Sequence, residues 1–89
     1  INPFCRDAYY NMAVICYKQK RYDSAIKYFK RAHQLEQNDI SVIYRLAEIY
    51  ALKGNPKEAG KYLKKLQKID PEYPTVCLQK MISASSKMQ

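Results

Sequence analysis

Apolar residues recur along this chain at helical intervals. Ala8, Met12, Ile15 and Cys16 make one stripe, and Ala25, Phe29, Ala32 and Leu35 make a second. Steps of three and four residues put such positions on one face of an α-helix. Lys20-Arg21 interrupts the pattern between the two stripes, and Gly54-Asn55-Pro56 interrupts it again further along. Gly54 suits the left-handed residue that closes a helix, Asn55 the cap of the next helix, and Pro56 its first turn. The pattern predicts helices in antiparallel pairs joined by tight turns. Beyond Pro74, residues 75–88 read as one more helix with Val76, Met81 and Ile82 apolar, running into the polar tail Ser83-Ala84-Ser85-Ser86-Lys87.

The pattern also repeats. Shifted by 34 residues, residues 6–39 lie over 40–73 without a gap. Tyr10/Tyr44, Ala13/Ala47, Ile15/Ile49, Ala25/Ala59, Lys27/Lys61, Tyr28/Tyr62 and Lys30/Lys64 are identical, and Met12/Leu46, Phe29/Leu63 and Leu35/Ile69 are conservative. Self-similarity at a fixed period is the mark of a stacked array, in which each unit buries its apolar face against its neighbours. The alanines are expected where helices approach closely, because a larger side chain there costs about 1–3 kcal/mol in overpacking. Residues 1–5 read as the tail of an earlier unit, 6–39 and 40–73 as two full units, and 74–89 as a capping helix or the start of another. A first residue Ile1 rather than Met fits an excerpt from a longer chain.

Composition narrows the function. At 89 residues, 47% hydrophobic and 27% charged, the chain has the balance of one small folded domain. No apolar run approaches the roughly 20 residues of a membrane span. Cys5, Cys16 and Cys77 form no CxxC pair, and His33 is the only histidine. Neither a disulfide framework nor a metal site is expected, and a reducing, intracellular compartment (cytoplasmic or nuclear) is. No cofactor is called for. An enzyme is not expected either, since no glycine-rich phosphate loop and no nucleophile–base pair is present. Cys16 lies on the apolar stripe, where it reads as a small buried residue.

The net charge of +8 is uneven. Lys27, Lys30, Arg31, Lys61, Lys64, Lys65 and Lys68 avoid the apolar stripes of the second helix in each unit. The first reading of such rows is a solvated outer face. The reading of another class is RNA or an acidic surface, bound through these helices with a steep salt dependence. The sequence ranks nucleic acid well below a protein partner.

In detail the units resemble the tetratricopeptide repeat family. Tyr9, Met12, Ala13, Tyr22, Ala25, Phe29 and Ala32 match its pattern in the first unit, as do Ile43, Leu46, Ala47, Tyr50, Gly54, Ala59, Leu63 and Pro71 in the second. The resemblance covers residues 1 to about 82. Lys20 stands where the family's turn glycine is usual, Gln37 where its closing proline is, and Leu66 where the second unit's last alanine would be. The fold implied is all-α, an α-solenoid of antiparallel helix pairs.

The resemblance further implies a scaffold that holds a peptide or partner helix, as a subunit of a larger complex, in a concave groove lined by the first helix of each unit. Its candidate binding residues are Tyr10, Asn11, Val14, Tyr44, Arg45, Glu48 and Gln79; Ser41, Leu52, Thr75, Leu78 and Ile82 are further groove positions. The tyrosines offer large, rather rigid contact area, Asn11 a side-chain amide for peptide backbone, and Arg45 a fork for a carboxylate. An alternative occupant is the acidic C-terminal tail of a chaperone. Members of the family that dock such tails use a carboxylate clamp; Asn11 and Arg45 match two of its positions, and Ser41 replaces its lysine.

Overall fold

A computed structural model of the chain describes residues 5–87. It contains helices α1 (Arg6–Lys18), α2 (Tyr22–Leu35), α3 (Ile40–Leu52), α4 (Pro56–Ile69) and α5 (Val76–Lys87). No strand occurs among the described residues. α1 packs on α2 and α3 on α4 as antiparallel pairs; α2 joins the pairs through α3, and α5 lies against α3 and α4. The expected tail at residues 1–5 lies outside the described residues except for Cys5, which precedes α1 in extended backbone.

The turn inside each pair closes with the same hydrogen bonds. In the first, the Lys20 N–H donates to the Tyr17 carbonyl (3.0 Å) and the Arg21 N–H to the Cys16 carbonyl (2.9 Å). In the second, Gly54 donates to Ala51 (3.1 Å) and Asn55 to Tyr50 (2.9 Å). Both satisfy the last carbonyls of a helix by putting one residue in the left-handed region. That residue has φ 80° at Gly54 and φ 61° at Lys20. Glycine occupies this region freely, whereas a lysine Cβ is strained there. Lys20→Gly is therefore expected to raise stability by roughly 0.5–1 kcal/mol, the relief of strain being partly offset by a more flexible unfolded chain. Thermal melts of the two proteins check it, and an unchanged or lower midpoint contradicts it.

Helix starts follow their sequence signals. The Asp39 carboxylate accepts from the Ser41 N–H (3.0 Å) and the Asn55 side chain from the Glu58 N–H (3.2 Å). Pro56 occupies the first turn of α4. Asp39 also forms an ion pair with Arg6, which ties the start of α1 to the start of α3.

The core is built from the expected alanines. Ala13, Ala25, Ala32, Ala47 and Ala59 are completely buried, around Phe29, Ile43, Leu46, Ile49 and Leu66. Three apolar positions differ from the sequence expectation. Ile15 is 52% exposed although its repeat partner Ile49 is fully buried. α2 packs against α3, while none of the described helices lies on the matching side of α1. In α5, Val76 is 62% exposed, whereas Leu78, expected in the groove, is fully buried together with Thr75 and Ser85. The residue before the helix and the helix's inward face each bury a hydroxyl, so apolar spacing alone misplaced its register. Thr75 satisfies its hydroxyl by accepting from the Gln79 amide (3.1 Å).

His33 links α2 to α4. Its Nε2 lies 2.9 Å from the Lys65 ammonium, and its ring meets Tyr62 edge-on at 6.1 Å. An ammonium has only protons to give, so the imidazole accepts in its neutral form. Burial, and then the Lys65 charge, lower the His33 pKa from the ordinary value of 6.5. The unfolded chain therefore takes up this proton more readily than the folded one. The stability His33 contributes is complete above pH 6.5 and is lost as pH falls through the lowered folded value. The urea midpoint of the wild type is expected to drop between about pH 7 and pH 5 more than that of His33→Gln. Parallel curves for the two proteins would exclude this role.

Candidate partner-binding groove

α1 and α3, the first helices of their pairs, are linked by the Arg6–Asp39 ion pair and by Arg45 over the Tyr17 ring, and each presents a tyrosine at the same repeat position. The Tyr10 ring stands edge-on to buried Phe29 at 5.5 Å, with the Arg6 guanidinium 4.5 Å from its centre. The Tyr44 ring meets Tyr73 edge-on at 5.8 Å. Both tyrosines are half-buried, so they pack and present surface together. Between them opens a cleft of about 160 Å³ lined by Tyr10, Ser41, Tyr44, Arg45 and Tyr73.

Arg45 is held from two directions. Its Nη1 donates to the Glu48 carboxylate at 3.0 Å, one helical turn on, and its guanidinium lies 5.4 Å from the centre of the Tyr17 ring. Burial by itself would lower the Arg45 pKa, but bonding to Glu48, its negative charge and a contact with Tyr10 outweigh this and raise it. The guanidinium is fixed as a cation with its fork partly occupied. Burial, and then hydrogen bonding to Glu48, raise the Tyr17 phenol. Burial, followed by the Glu48 charge, raises Tyr44. Both phenols thus stay protonated, and Tyr44 can donate a hydrogen bond from the cleft wall. The arrangement offers aromatic edges, hydroxyls and one compensated cation, which suits recognition.

Of the candidate residues, Tyr10, Tyr44 and Arg45 line one cleft. Glu48 acts on the cleft through Arg45 rather than by lining it. Val14 is half-buried against the core. Asn11 is exposed on α1 outside the cleft lining, and Gln79 is exposed on α5 with its amide committed to Thr75. Sequence reading missed Tyr73, which arrives from the connection between α4 and α5 and closes the cleft. It sits in no periodic pattern, and its only local signal is its place between Pro71 and Pro74.

A tetratricopeptide repeat family model matches residues 17–76. No curated protein matches the chain.

Proposed function

The chain belongs to the tetratricopeptide repeat family, and from that premise we propose that it holds an extended peptide or a partner helix against the cleft between α1 and α3. The family implies a protein–protein interaction scaffold; Tyr10, Tyr44, Tyr73, Ser41 and Arg45 are the contacts proposed here. The observation that carries this reading is the pairing of two repeat-related tyrosines over a half-open cleft whose fifth wall is a charge-compensated arginine. Tyrosine and arginine supply the strongest anchors at protein interfaces, because they bury area at low entropic cost and still satisfy their polar ends. Asn11, exposed on α1 outside the cleft lining, is proposed as a contact for a peptide that extends beyond it.

A peptide-display selection on the immobilised chain provides the ligand for the test. Tyr44→Ala is expected to weaken the selected peptide at least about tenfold, the size of a modest interfacial anchor. Ser41→Trp, which fills the cleft from an exposed position, is expected to do the same. Titration calorimetry reads both, with circular dichroism to verify that the helices persist. Unchanged affinity in both variants sinks the proposal.

A further inference from the structure

The outer faces of α2 and α4 carry a cationic pattern locked to the period of the array. On α2 a groove of about 410 Å³ is lined by Tyr9, Lys27, Tyr28, Lys30, Arg31 and Gln34. On α4 a groove of about 640 Å³ is lined by Lys57, Glu58, Lys61, Lys64, Lys65 and Lys68. Adding 34 to Lys27, Lys30, Arg31 and Gln34 gives Lys61, Lys64, Lys65 and Lys68, so the second groove repeats the first in register. We propose that this face binds single-stranded RNA through its phosphate backbone. The surface lies on the second helix of each pair, with Tyr9 of α1 at its edge, and shares no residue with the cleft lining between α1 and α3.

Charge sign is the first support. α2 and α4 carry just Asp23 and Glu58 as acids, so the face has a one-signed field that attracts a polyanion. Asp23 is taken by Lys53. Among the described residues, no carboxylate pairs with Lys27, Lys57, Lys61, Lys64 or Lys68. The lysines along α4 follow steps of three and four residues, which space their stems about 5–6 Å apart. That spacing is comparable to the distance between successive phosphates of an extended strand. The two rows meet at Lys65, whose ammonium reaches His33 of α2 at 2.9 Å.

Chemistry then selects the polyanion. Tyr28 lies half-buried in the α2 groove with Tyr9 6.5 Å away, an aromatic surface beside cations on which a base can stack. A membrane surface would want an apolar side chain to insert, but the exposed large apolar residues Ile15, Leu52 and Val76 all lie on other helices. A folded acidic protein would want an apolar centre or free arginine forks. The one arginine here, Arg31, donates to Gln34 at 3.0 Å. Lysine point charges in a row suit phosphates without reading sequence.

The test is fluorescence anisotropy with a labelled oligouridylate of about 20 nucleotides. With roughly five phosphates contacted, affinity is expected to fall on the order of 100-fold from about 50 to about 200 mM salt. The triple variant Lys61→Glu, Lys64→Glu, Lys68→Glu is expected to reduce the slope of log affinity against log salt by about 2. A control with the same change in net charge, Lys18→Glu, Arg21→Glu, Lys80→Glu, is expected to keep most of that slope. Tyr44→Ala is expected to leave RNA binding unchanged, so failure here and failure of the cleft proposal are distinguishable. The proposal is overturned by no binding at the lower salt, by equal loss in the α4 triple variant and the control, or by tighter binding to phosphatidylserine vesicles or polyglutamate than to the oligouridylate.

Discussion

Phe29→Ala is expected to lower the stability of this chain by about 3–5 kcal/mol. Phe29 is completely buried between the two helix pairs, and alanine removes its ring from a site that the fully buried Ala13, Ala25 and Ala32 cannot refill. A domain of this size holds only about 5–10 kcal/mol in total. The melting midpoint is therefore expected to fall by at least about 12 °C. Phe29 also supports the Tyr10 ring edge-on, so the surviving folded fraction should bind a cleft-directed peptide more weakly. Phe29→Leu keeps most of the volume and is expected to cost less than half as much. Calorimetric melts of the three proteins decide the matter; a loss of under about 1 kcal/mol in the alanine variant would show that the site collapses around the gap.

The second large effect concerns a repeat position that the two units fill with side chains of different size. Ala32 and Leu66 are 34 residues apart, and both are completely buried. α2 packs against α1 and α3, and α4 packs against α3 and α5, so each of the two sites is shaped to its own side chain. Exchanging the residues is expected to harm both sites. Leu66→Ala opens a cavity costing about 2–5 kcal/mol. Ala32→Leu forces a larger side chain between packed helices and costs about 1–3 kcal/mol. Urea titrations of the two single variants measure this. A neutral Ala32→Leu would mean that the helices around it can separate freely.

Most of the fold was legible in the sequence because the same physics is written twice. A small residue at 13, 25, 47 or 59 means close helix approach in either unit, and Gly54 with Asn55 and Pro56 marks a turn without any tertiary information. The exposure of Ile15 was not legible, because sequence identity with Ile49 carries no information about which neighbour covers it. The register of α5 was hidden for a different reason. Thr75 just before it and Ser85 on its inward face are buried, and a hydropathy pattern cannot anticipate hydroxyl residues in a core. At the candidate cleft, Tyr10, Tyr44 and Arg45 were legible as large polar-tipped residues off the apolar stripe. Tyr73 was not, since a loop residue's destination depends on how the chain returns from α4 to α5.

The way the helices touch has a kinetic consequence. Each helix packs extensively only on the next helix or the next but one. Contacts therefore join segments close in sequence, and little loop entropy opposes forming them. Helical proteins with such local topology fold in microseconds to milliseconds. A stacked chain of this kind can begin at either hairpin, α1–α2 or α3–α4, and add the other afterwards. Under mechanical load applied at its ends it should yield in hairpin-sized steps, each pair unravelling without needing its neighbour to open first.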